Sequence, residues 1–184
     1  MSLVKEKFKS TEVQLSPKQK NNVESNWLLI IGGLREFLNQ KQIKGNQLNK
    51  YGIIHMLRQI DGYYHYPITD ALFQLVNEKL PDEIYRLKKK GNYLMNSNLR
   101  TVFNRLLKQK DIKESIQIEH FNGGVRNLVD ILIEEISTQK LVDIENLKTL
   151  HKSHTLCCYK LKSESDLNER TKLDSIKLFK GFNL

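Results

Sequence analysis

The chain has 184 residues and a mass of 21.6 kDa, the size of one domain with at most a small appendage. Apolar residues make up 39% and charged residues 28%, so a core is within reach; three prolines and nine glycines exclude collagen-like or proline-rich architecture. The net charge is +9, the two cysteines are adjacent at Cys157 and Cys158, and no long apolar run occurs, which excludes a disulfide-stapled secreted fold and a membrane-spanning helix.

In chain order, residues 1–15 mix charge with Ser and Thr and lack periodicity, which predicts a flexible N-terminal tail. Ser16-Pro17 has the form of a helix start, a hydroxyl cap followed by proline at the first helical position. Val23, Trp27, Ile30, Ile31, Leu34 and Leu38 then recur at helical spacing to about residue 42. Gly32-Gly33 in that stripe predicts a kink or a close backbone approach. Lys44-Gly45-Asn46 reads as a turn, and a second helix runs from Gln47 to Ile60 until Asp61-Gly62 stops it.

Tyr63-Tyr64-His65-Tyr66-Pro67 reads as an aromatic loop, since proline biases the residue before it away from helix. Thr69 caps a third helix through Leu72, Leu75 and Val76, and Pro81 opens a short helix that Gly91 closes. Asn96-Ser97-Asn98 caps the clearest helix, with Leu99, Val102, Phe103, Leu106 and Leu107 on one face. Ile116 and Ile118 alternate, as in a short strand or a loop. After Gly123-Gly124 a helix carries Val125, Leu128, Val129, Leu132, Ile133 and Ile136. Asp143 caps another, expected to reach Leu161 through a seam of Ile144, Leu147, His151, His154, Cys158 and Leu161. Leu173, Ile176 and Phe179 suggest a last helix. The expected fold is all-α: one compact bundle-like domain over residues 16–184, with seven to eight helices and little or no strand. Trp27, Leu34, Leu75, Phe103, Leu106, Leu128 and Leu132 are its expected core.

The charge is concentrated. Residues 86–113 hold nine Lys and Arg against Asp111 alone, between acidic neighbours. Such a patch attracts polyanions. Lys88, Lys89 and Lys90 supply sequence-tolerant phosphate contacts, and Arg100, Thr101, Asn104, Arg105, Lys108 and Lys110 lie on or just beyond the polar face of the helix at 97–110, where their types suit phosphates or base edges. A helix-turn-helix with 82–90 as first helix fails on spacing, because seven residues separate it from the reader where the motif takes three or four. The bland counterpart is a solvated face: Lys outnumbers Arg 23 to 7 and there are 16 Asn, a mix that an AT-rich coding sequence also produces.

The aromatic run at 63–66 can stack unpaired bases or fold onto the core. Arg58 and His65 have an Arg-x6-His spacing that resembles the catalytic motif of the HEPN helical ribonucleases, which implies phosphodiester cleavage served by these two residues; the match covers eight residues. His151, His154 and Cys158 stand at i, i+3 and i+7, a spacing that can converge on a metal on one helix, although leucines surround them and a core role is the simpler reading, with Cys157 or Cys158 and His154 at least partly buried. There is no P-loop, GxGxxG, HExxH or GxSxG pattern. The sequence therefore leads to a non-enzymatic nucleic-acid-binding protein, DNA or RNA, without cofactor or metal. The alternatives are a helical interaction subunit of a larger complex or homo-oligomer and, behind it, a small helical ribonuclease. The basic N-terminus has no apolar stretch after it and no Asn-X-Ser/Thr sequon occurs, so the expected setting is intracellular, cytoplasmic or nuclear, with no membrane partner.

Overall fold

The computed structural model describes residues 8–11, 15–40, 47–89, 91–121, 124–138 and 144–166. Among them are six α-helices and five strands: α1 (Pro17–Gln40), α2 (Gln47–Asp61), β1 (Tyr66–Pro67), α3 (Asp70–Lys79), a 3₁₀ helix (Pro81–Leu87), β2 (Lys88–Lys89), β3 (Asn92–Met95), α4 (Ser97–Gln109), β4 (Ile116–His120), α5 (Gly124–Thr138), α6 (Ile144–His154), β5 (Cys157–Leu161) and a second 3₁₀ helix (Lys162–Asp166). The expectation of an all-α fold is overturned: the protein is mixed α/β, with two antiparallel sheets. By its internal contacts the chain divides into two compact units. One takes Met1–Val13, Tyr64–Phe121 and Leu156–Leu184; the other takes Gln14–Tyr63 and Asn122–Thr155.

The first unit is built around β5. Every residue of Cys157–Leu161 is buried, so its backbone groups cannot turn to water and need partners along both edges. On one edge β4 pairs antiparallel over its whole length, from Ile116 opposite Leu161 to His120 opposite Cys157. On the other, the chain at 8–11 bridges Lys9 to Leu156, and Cys157 N–H donates to the Phe8 carbonyl at 3.0 Å. Further along that edge Ile68 bridges Tyr159 in parallel, and Thr69 N–H donates to the Tyr159 carbonyl at 2.9 Å. Beyond β1 lies the β2–β3 hairpin, in the order β1-β3-β2. Phe8 is buried against Leu156 and Cys158, with Phe121 packed edge-on at 4.9 Å, so these residues are not part of a flexible tail.

Two further expectations fail, each for its own reason. The seam predicted through Cys158 and Leu161 ends early: α6 stops at His154, and residues 156–161 form a central strand. A strand buried on both faces carries apolar residues without strict alternation, so Cys158 and Leu161 satisfy a helical template by accident. Gly91 does not close a helix. It sits with φ 79° at the turn of the β2–β3 hairpin, where left-handed backbone matches the twist of the strands.

The second unit is helical. The predicted helices α1 and α2 stand where expected, with Val23, Trp27, Ile30, Leu34, Ile53, Leu57 and Ile60 buried between them and α5. The Gly32-Gly33 pair does not break α1; Gly33 takes the close approach of α2, its missing Cβ facing Ile53 Cγ1 at 3.5 Å. At the centre, His151 Nε2 lies 2.7 Å from Asp61 Oδ1, both buried, and the Trp27 ring packs edge-on against the imidazole at 5.5 Å. One cluster thus ties α1, α2 and α6. Leu128 and Leu132 are buried as expected, and Phe103 in the first unit is too, whereas Leu75 and Leu106 are half-buried. The turn at 44–46, the cap at Asp143 and the weak helix through Leu173 lie outside the described residues.

Thr69 joins the sheet to α3. Its N–H serves β5, its Oγ1 accepts from Leu72 N–H at 3.3 Å as the helix cap, and its hydroxyl donates to Glu164 Oε2 at 2.8 Å. Glu164 in turn accepts from Leu161 N–H at 2.7 Å. Thr69→Val keeps the shape and removes the hydroxyl, and should cost about 1–2 kcal/mol in urea unfolding, while Thr69→Ser should cost less than about 1 kcal/mol.

Candidate nucleic-acid interface

The candidate surface lies in the first unit, on α4 and the elements flanking it. Asn96 caps α4, its Oδ1 accepting from Leu99 N–H at 3.0 Å. Phe103 and Leu107 turn inward and are fully buried. Thr101, Arg105 and Lys108 then fall on the opposite stripe, at i, i+4 and i+7, and all three are exposed. Thr101 bonds its own helix, Oγ1 to the Ser97 carbonyl at 3.0 Å.

This corrects the outward face expected from sequence. Arg100 is half-buried, on the shoulder of the helix. Asn104 is committed to the fold: its Nδ2 donates to the Ile116 carbonyl at 3.1 Å and its Oδ1 accepts from Ile116 N–H at 2.7 Å, which seats the start of β4 on α4. An amide that brackets a strand is not available to read a base edge, so Asn104 leaves the contact set. Thr101, which the sequence already places on the polar face, stays on the exposed stripe.

The end of α4 fixes the remaining cations. Ile112 N–H donates to the Leu107 carbonyl at 3.0 Å and Asp111 N–H to the Lys108 carbonyl at 3.1 Å, a Schellman closure. Asp111 holds the left-handed position at φ 56°, which is usually glycine's. The reversal leaves Lys110 and Lys113 exposed. Arg105, Lys108, Lys110 and Lys113 make no ion pair among the described residues. Arg86 differs, being held by Glu83 at 2.8 Å and the Tyr85 hydroxyl at 3.4 Å. Lys88 is exposed and Lys89 half-buried on the hairpin; Lys90 lies outside the described residues. A β-hairpin, not a turn, separates the 3₁₀ helix from α4, so the segment has no helix-turn-helix geometry.

The other candidates are not brought together in the way their spacing suggested. Arg58 is exposed on α2, but that helix ends at Asp61, and His65 sits in a bridge to Thr11 with only 5% of its surface exposed. Burial first, and then the Lys89 charge, push its imidazole down to about 4. Arg58 and His65 therefore do not share a helix, as the HEPN-like spacing would require. Tyr64 and Tyr66 are buried and Tyr63 is half-buried, so the aromatic run folds onto the core rather than offering a stacking surface. His151 is engaged with Asp61, and His154 is exposed, contrary to the expected seam. Cys158 lies on β5, with its thiol pushed up to about 12 by burial and then by Glu119 and Glu164. Such a thiol stays protonated at neutral pH, whereas a metal ligand must be a thiolate. Among the described residues no group of three or more His, Cys, Asp or Glu is placed to hold a metal ion.

No family model, curated protein or solved structure matches this chain. No helix among the described residues is long and apolar enough to cross a membrane.

Two measurements test this geometry. Asp111→Gly relieves left-handed strain and removes a negative charge from the C-terminal end of α4; it should raise stability by about 1 kcal/mol in chemical denaturation. His65 releases its proton near 6.5 when unfolded and near 4 when folded. Its contribution is therefore complete above pH 6.5 and is lost as pH falls through that window, by about 3 kcal/mol in all. His65→Gln should remove that part of the acid-side slope, measured as the difference between variant and parent at each pH.

Proposed function

We propose that the chain binds nucleic acid through the first unit, without enzymatic chemistry of its own, by neutralising phosphates with Arg105 and Lys108 on α4. Lys110 and Lys113 extend the contact beyond the helix end, Lys88 and Lys89 add to it from the hairpin, and Arg100 contributes from the shoulder. The observation that carries the reading is the exposed Arg105–Lys108 pair. Like charges three residues apart repel by about 0.2–0.5 kcal/mol, and no ion pair among the described residues offsets them. A phosphate backbone supplies that counter-charge. With Asn104 committed to β4, the contact set is phosphate-directed, so the reading favours binding with little sequence preference.

The test is fluorescence anisotropy with single- and double-stranded DNA and RNA over a series of salt concentrations. Each phosphate contact contributes a slope of about −0.9 on duplex DNA and −0.7 on single strands. Arg105→Glu with Lys108→Glu leaves Phe103 and Leu107 in place, so the circular dichroism spectrum should not change. Affinity should fall at least about tenfold, and the slope should lose roughly two contacts. A folded double variant that binds as well as the parent makes the patch a solvated face only.

A further inference from the structure

In the second unit, the buried face of α1 runs through Val23, Trp27, Ile30, Ile31 and Leu34. The opposite face should be polar, as on any surface helix. Here Leu28 is 60% exposed and Leu29 58%, between exposed Ser25 and Gly32, and no atom of the described residues lies within 4 Å of where a Gly32 Cβ would stand. Two adjacent leucines flanked by two small residues form a ridge that another helix can approach closely.

The charges beside this ridge identify the helix that fits. Glu24 and Arg35 are exposed along one flank of it and make no ion pair among the described residues. We propose that α1 pairs with α1 of a second copy of this chain, antiparallel, about a two-fold axis passing between Leu28 and Leu29. That axis sets Leu28 against Leu29 of the second copy and Ser25 against its Gly32. A two-fold keeps like flanks together, so Glu24 meets Arg35 of the second copy twice, with the two positions offset by about 3 Å along the axis at 1.5 Å rise per residue. A parallel pairing about a two-fold along the helices sets the Glu24–Arg35 flank of the two copies on opposite sides of the contact, so these charges do not meet. The self-complementary order Glu24, Ser25, Leu28, Leu29, Gly32, Arg35 thus selects both the partner and the direction. With two leucines per copy at its centre, the contact is small, and dimerisation falls in the micromolar range.

The symmetry gives a test that misfolding does not imitate. Sedimentation velocity on nuclease-treated protein should show a concentration-dependent dimer. Glu24→Arg and Arg35→Glu are surface changes that leave the helix content intact, and each alone should weaken self-association about tenfold by setting like charges together. Mixed in equal amounts, the two variants should form a heterodimer of roughly parental affinity, since both cross-pairs are then attractive. Leu29→Ser should abolish association in every combination. A parent that stays monomeric into the high micromolar range overturns the proposal. So does a mixture of the two variants that associates no better than either alone, which would mean that α1 does not pair in this geometry. Neither outcome touches the reading of the basic surface, which rests on residues of the first unit.

Discussion

A strand that shows no side chain to water has to satisfy its backbone sideways, and β5 imposes that requirement on the whole first unit. One edge is filled by β4. The other edge is filled by two separate pieces of chain, residues 8–11 and the segment at 68–69. Thr69 then converts a ladder hydrogen bond into a helix start, and α3 follows. Lys160 is buried within the same strand and is tolerated because Glu119 on β4 reaches its ammonium. The placement of α4 descends from the same requirement at one remove: β4 must lie along β5, and Asn104 fastens α4 to the first residue of β4.

How much of this the sequence disclosed depends on the kind of signal each segment carries. Long amphipathic stripes were readable, because α1, α2, α4 and α5 each bury one face and expose the other. The caps at Thr69 and Asn96 were readable too, since a side-chain oxygen ahead of a helix has few other uses. Strands β1, β2 and β3 were not. They are two to four residues long, shorter than the window in which alternation can be told from chance, and their stability comes from neighbours distant in sequence. Phe8 gave no local signal at all; it is ordered by Leu156 and Cys158.

The basic surface was half readable. Charge density at 86–113 was plain, but which cations stand free is a property of packing. The sequence grouped Arg100, Asn104, Arg105 and Lys108 as one polar face. The fold separates them: Asn104 is bonded to the first residue of β4, Arg100 is half-buried, and the Thr101–Arg105–Lys108 stripe is left to solvent. Likewise, the His151–Asp61 pair joins residues far apart in the chain; sequence spacing drew His151 toward Cys158, whereas the packing of α6 drew it toward α2.

The interleaving of the two units has a consequence for biosynthesis. The Lys9–Leu156 bridge closes nearly the entire chain into a loop, and neither edge of β5 can be occupied before residues 157–161 have been made. During translation, α1 and α2 can pair as soon as both emerge, because their contacts are local. The sheet around β5 has no such option. The β2–β3 hairpin can close on its own, but β4 leaves the ribosome well before β5, with an open edge in the interval. Lys and Arg crowd the segment from β2 to the end of α4, and charge of one sign disfavours edge-to-edge association of open strands. The charge concentrated at 86–113 thus acts on the chain before the fold is complete.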